Sequence, residues 1–330
     1  MNLSLRQTLL FLILFLGCFS TAHADPVEIT EWKVPWDNTR PRDPFVGPQG
    51  RVWFCGQKGG YLAYLDPVSG NFKKYELGRG AGPHNLIVDQ NGFVWFAGNR
   101  NGYIGKLDPN SGDIVRYPIP DKEASDPHTL VFDSQGDIWF TVQQGNFVGK
   151  LMTETGEVKL VKVTTPHARP YGIVMDSKDR PWIALFGTNK LATVNPETFV
   201  LKEYELPNPA SRPRRLAITS DKKIWYVDYS EGLLGSFDPK TLKFQQRPLP
   251  AGENAYPYAM AVDDQDNLWM VETGEMPNRL IGFNPSSGKF FSTTEIPSGA
   301  GSVRHMVFHK PTRKLWFGAD TNTIGRAKIQ

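Results

Sequence analysis

Seven tryptophans recur along this chain at almost equal spacing: Trp53, Trp95, Trp139, Trp182, Trp225, Trp269 and Trp316, with intervals of 42, 44, 43, 43, 44 and 47 residues. No other feature restricts the fold as much. The unit between them is plainest from Gly82 to Pro120, GPHNLIVDQNGFVWFAGNRNGYIGKLDPNSGDIVRYPIP. Four short runs rich in β-branched and aromatic residues are separated there by Asp89-Gln90-Asn91-Gly92, by Gly98 to Gly102, and by Asp108-Pro109-Asn110-Ser111-Gly112. Such runs suit a pleated, packed surface, and such turns close tight hairpins. The unit is therefore a four-stranded antiparallel meander, and one meander cannot bury both of its faces. Seven copies of it predict an all-β, seven-bladed β-propeller.

The other repeats carry the same marks, as in Gly149-Lys150-Leu151, Gly235-Ser236-Phe237 and the turns Asp66-Pro67-Val68-Ser69-Gly70 and Asn284-Pro285-Ser286-Ser287-Gly288. The last unit ends at Ile324-Gly325-Arg326-Ala327-Lys328-Ile329-Gln330 with no closing strand. Glu28 to Pro35 resembles the closing strands of the other units. The N-terminal strand is thus predicted to complete the last blade, which removes the exposed sheet edges.

Residues 1–24 read as a secretory signal: Arg6, an apolar run from Leu9 to Leu16, and Ala22-His23-Ala24 as the cleavage site. That run is too short to span a membrane. Leu16-Gly17-Cys18 is a partial lipobox, so a lipoprotein anchored at Cys18 is the alternative. Cleavage after Ala24 leaves 330 minus 24, or 306 residues, as one domain spanning 25–330 in the periplasm or outside the cell. It carries 36 basic and 34 acidic residues with the basic ones scattered, which argues against nucleic acid as a partner. Only Cys55 remains, so no internal disulfide forms; a strand cysteine of this kind reads as a small buried hydrophobe. A monomer is expected.

Eleven residues before each repeat tryptophan the chain begins its innermost strand. The seven occupants of this mouth position are Arg42, His84, His128, Tyr171, Arg214, Tyr258 and His305, six of them preceded by proline. Strands of about five residues bring the positions just beyond each tryptophan back to the same height. Those become Asp228, Glu272 and Asp320 in the last three blades. Titratable groups converging on one channel mouth make it the predicted site for a small-molecule or peptide ligand. A second constellation, His84 and His128 with Asp126, lies in adjacent blades but lacks a partner carboxylate beyond Trp139.

The repeated Pro-His-x-Leu/Ile, Asp-x-x-Gly-x-Val/Ile-Trp-Phe and Ile-Gly-Lys-Leu elements resemble the virginiamycin B (streptogramin B) lyases over essentially all of 25–330. The resemblance implies a seven-bladed propeller and a magnesium-assisted elimination that opens a cyclic depsipeptide at its ester. Histidines and glutamates of the last two blades would build the site, with one histidine as base. Residue by residue, the penultimate-blade histidine is Tyr258 here, and the final-blade histidine corresponds to His305. The acid two residues ahead of the latter is replaced by Val303, and Ala319 stands where another is expected. Glu272 and Asp320 are the remaining candidates to hold Mg2+.

Three functions follow. An exported lyase would use His305 and Tyr258 as catalytic groups and Glu272 and Asp320 as metal ligands. A non-catalytic propeller would bind an anionic small molecule, peptide or glycan at Arg42, His84, His128, Tyr171 and Arg214, because guanidinium forks pair with carboxylates. A hydrolase resembling the gluconolactonases is the third, and its six-bladed architecture counts against it. No Gly-x-Ser-x-Gly or His-Glu-x-x-His motif is present.

Overall fold

The computed structural model describes residues 26–78 and 80–329. The expected cleavage after Ala24 and the alternative anchor at Cys18 lie outside the described residues. Seven four-stranded antiparallel sheets are arranged as blades, with sequential strand order in six of them. In the seventh, the N-terminal strand Glu28–Lys33 pairs with Thr323–Lys328, outside Lys314–Ala319 and Val303–His309. Trp32 stacks on Trp316, their ring centroids 5.6 Å apart, and Thr323 Oγ1 donates to Glu31 Oε1 at 2.7 Å. The clasp therefore closes the ring, as the sequence predicts.

The core is distributed among the blades. Seven apolar clusters each span two adjacent blades, including one between the last and the first that joins Trp316 and Ile324 to Phe54 and Tyr61. Burial of aromatic and aliphatic area across these interfaces holds neighbouring blades together. Cys55 is fully buried in the first of them, and burial pushes its thiol well above the usual range. The glycine of each Gly-Lys-Leu element has a packing reason. A Cβ at Gly149 would lie 2.2 Å from the Phe140 ring of the neighbouring strand. No helix among the described residues is long and apolar enough to cross a membrane.

In four blades an aspartate six residues before the tryptophan locks the inner hairpin. In the sixth blade, Asp263 Oδ1 accepts from the backbone N–H of Gln265 and Asn267, and Oδ2 accepts from Trp269 Nε1 at 3.0 Å. Asp89, Asp133 and Asp176 do the same for Trp95, Trp139 and Trp182, and Thr219 substitutes in the fifth blade. Replacing Asp263 with alanine orphans a buried indole N–H and two turn amides. The Asp263→Ala variant is expected to lose about 2–3 kcal/mol and to melt about 5 °C lower in calorimetry. A shift under 1 °C would show that water replaces the carboxylate.

Candidate functional site

Each innermost strand carries a register shift within its first few residues, for example between Pro127 and Leu130 opposite Val142 and Phe140. Equivalent shifts occur in all seven blades. A bulge of this kind re-aims side chains at the end of a strand. It presents two successive residues to the channel rather than one. The first set forms the mouth ring predicted from the sequence, and the second lies directly after it: Asp43, Asn85, Thr129, Gly172, Arg215 and Ala259.

The seventh blade departs from the predicted register. In the sixth blade Ala261 pairs with Trp269, eight residues on, whereas Val307 pairs with Trp316, nine residues on. The extra residue sits in the turn, where a short 3-10 segment, Lys310–Thr312, leads to Arg313 in a left-handed conformation (φ 49°). Counting back eleven residues from Trp316 therefore stops one short. Arg304 occupies the mouth position, and His305 belongs to the second ring.

The second ring is a buried polar plug centred on Asp43. Arg42 Nε donates to Asp43 Oδ1 at 2.9 Å, while Asn85 Nδ2 and Arg215 Nη2 donate to Oδ2 at 3.0 and 3.4 Å. Arg215, from the fifth blade, also reaches Thr129 Oγ1 in the third and the backbone carbonyl of Arg304 in the seventh. Burial favours the neutral acid, but the Arg42 and Arg215 guanidiniums outweigh it and hold the Asp43 carboxyl far below its ordinary range. Two buried guanidiniums thus share one carboxylate, and Arg42 Nη2 has no partner. Below the plug lies a cavity of about 350 Å³, lined by inner-strand residues of the fourth to seventh blades.

The mouth ring splits into two halves. On one side, His84 and His128 lie ring against ring with centroids 3.6 Å apart. Burial, then Arg42 for His84 and the neighbouring His84 for His128, keeps both well below the usual imidazole range, so they are neutral. Asp126 does not join them, since its carboxylate accepts from the backbone N–H of Gln144 and Gly145. On the other side, Arg214 sits in a box of aromatic rings. Its Cζ is 3.4 Å from the Tyr258 centroid, 4.2 Å from Tyr229, 4.5 Å from Phe186 and 5.1 Å from Tyr171. No carboxylate pairs with it among the described residues, and its Nε is unpartnered.

Tyr171 and Tyr258 share a short hydroxyl–hydroxyl hydrogen bond across the channel. Burial raises the Tyr171 hydroxyl, and the adjacent Tyr258 raises it further. For Tyr258 burial acts in the same sense, but Arg214, Arg42, Arg215 and Arg304 outweigh it and lower the phenol to about 8. His305 is lowered as well: burial and Arg215 push it down to about 3. An imidazole with so little proton affinity is a weak base, which counts against the catalytic role expected for His305.

The acids expected to hold a metal are engaged elsewhere. Glu272 is fully buried; its Oε2 accepts two hydrogen bonds from Arg279, and its Oε1 accepts from the backbone N–H of Ala251 at 2.9 Å. Asp320 is clamped by Arg304 and lies 3.7 Å from Arg40. Asp228 Oδ1 accepts from the Arg212 N–H at 2.8 Å. Among the described residues no group of three or more His, Cys, Asp or Glu side chains is placed to hold a metal ion. Carboxylates neutralised by guanidiniums do not suit Mg2+, which takes carboxylate and water oxygens in an octahedron.

Sequence reasoning found the mouth ring but missed Asp43, Asn85, Thr129 and Arg215. A signal for them exists. Arg42-Asp43, His84-Asn85, His128-Thr129 and Arg214-Arg215 place two polar residues in succession where strand alternation would send the second to the core. Phe186 and Tyr229, each four residues beyond a repeat tryptophan, were also legible as loop aromatics.

Comparison with known proteins agrees with this architecture. The sequence profile of the virginiamycin B lyase family matches residues 20–280. The chain belongs to that family. Its fold is similar to a streptogramin B lyase structure at TM-score 0.82, with 24% identity over 92% of this chain and 98% of that one. It is equally similar to the virginiamycin B lyase of Staphylococcus aureus, at 0.83 with 23% identity over 92% and 99% of the two chains. A catalytically inactive histidine-to-alanine form of the latter, solved with quinupristin, superposes with the same scores. No curated protein sequence matches this chain. Of the two last-blade histidines that the lyase resemblance calls for, the first is Tyr258 here, and the second, His305, stands one residue beyond the mouth position.

Proposed function

We propose that this propeller binds the anionic group of a small molecule, peptide or glycan at the cationic channel mouth. One observation carries the reading: Arg214 has no counter-ion, and the buried Arg42 and Arg215 have one carboxylate between them. A buried guanidinium without an anion is costly, and a bound carboxylate or phosphate offsets that cost through charge-assisted hydrogen bonds. The test is thermal unfolding with inorganic phosphate and with acetate against sodium chloride at equal ionic strength. Saturable stabilisation is expected, reaching about 2.7 kcal/mol at a hundred times Kd. It should persist in excess chelator and vanish in Arg214→Gln, a substitution that leaves no carboxylate orphaned. Identical unfolding in all three salts would falsify the reading.

A second reading is favoured by family membership and by Tyr258. With its hydroxyl lowered to about 8, it is the one mouth group suited to take a proton near neutral pH. In an elimination the Tyr258 phenolate would remove a carbon-bound proton. The freed electron pair would form the double bond, and the neighbouring C–O bond would break to release a carboxylate. Quinupristin serves as the probe. Its opening by chelator-treated protein should rise with pH to a plateau above about 8 and disappear in Tyr258→Phe. Activity that depends on added Mg2+ and survives Tyr258→Phe would refute this assignment.

A further inference from the structure

We propose that the anion taken at the mouth is an aromatic carboxylate, its carboxylate on Arg214 and its ring against Tyr229 and Tyr256; this rests on the anion-binding reading above. The rings of the fourth to sixth blades form a continuous arc. Phe186 meets Tyr229 edge-on at 5.9 Å, and Tyr229 lies 5.5 Å from Tyr256. Tyr229 is only half-buried, and Tyr256 is 42% exposed. The arc begins in the box around Arg214 and runs outward to solvent, so an anion on that guanidinium carries whatever is attached to it across these faces.

The backbone at Tyr256 points the same way. The residue two before the mouth position is left-handed in four blades: Arg40 (φ 50°), Gly82 (φ 51°), Arg169 (φ 52°) and Tyr256 (φ 39°). Glycine satisfies this loop without steric cost, as Gly82 does in the second blade, whereas a bulky tyrosine is strained there. Thr273 Oγ1 holds the strained segment by donating to the Tyr256 carbonyl at 2.7 Å. The loop needs no side chain for its own geometry. What the tyrosine adds is an exposed ring beside the cationic centre. Ring-on-ring contact and the burial of apolar area give the ligand's aromatic part its affinity, and the guanidinium fork orients its acid.

The test is calorimetric titration with phenylacetate, acetate and glucuronate. Phenylacetate is expected to bind about tenfold more tightly than acetate, the scale of one aromatic contact plus the area it buries. Tyr256→Gly, which also relieves the backbone, should remove that advantage while leaving acetate binding unchanged. Equal affinities for phenylacetate and acetate overturn the aromatic assignment and leave anion binding standing. Glucuronate binding as tightly as phenylacetate overturns it in favour of an acidic sugar. If no carboxylate binds at all, the underlying anion reading fails.

Discussion

Asp43→Asn is expected to destabilise this propeller by about 3–5 kcal/mol, lowering the melting temperature by about 10 °C. The replacement is nearly isosteric, and asparagine tolerates the left-handed backbone at this position (φ 48°). What it removes is the single carboxylate to which Arg42 and Arg215 both donate. Both guanidiniums would then remain buried, 3% exposed each, without a counter-charge. The large figure reflects that uncompensated burial and not the worth of the ion pair itself. The variant should also gain more stability from added phosphate than the wild type does, because an inorganic anion can take over the lost role. Chemical denaturation with and without phosphate checks both statements. A loss below 1 kcal/mol would mean that water reaches the plug.

Acid should unfold the protein unusually early. His84, His128 and His305 are all held below the ordinary imidazole value, by burial first and then by cationic neighbours. A depressed folded-state value means that the unfolded chain takes up these protons first. Stability is therefore full above about pH 6.5 and falls as pH drops below it, by up to about 1.4 kcal/mol per pH unit for each histidine. Between pH 7.5 and 5.5 the three together are expected to remove about 4 kcal/mol. Urea midpoints across that range measure the slope. The variant carrying His84→Gln and His128→Gln should flatten it by roughly two-thirds. A slope unchanged by that variant would place the acid sensitivity elsewhere.

Arg304 and His305 illustrate how far the sequence could be read. The tryptophan period marks the head of each inner strand, and the strand register agrees with it in six of the seven blades. The seventh failed by one residue because the turn through Lys310–Arg313 is one residue longer, a difference that spacing records only as an interval of 47 in place of about 43. Glu272 is a different kind of miss. Its position beside the channel is legible in the sequence, but its cross-strand pairing with Arg279 is not, and that guanidinium converts a candidate metal ligand into a structural ion pair.

What the amino-acid sequence determined alone is the ring: seven blades, sequential strands and an N-terminal strand closing the last. These follow from local pattern, turn chemistry and the need of each meander to bury two faces, and all of them repeat. What only the tertiary structure decided is which side chains meet in the channel. The bulge at the head of each inner strand turns a second residue inward, which brings Arg215 of the fifth blade to Asp43 of the first and Thr129 of the third. Those contacts join residues 86 and 172 positions apart. No local pattern encodes them, because they exist only once the ring has closed.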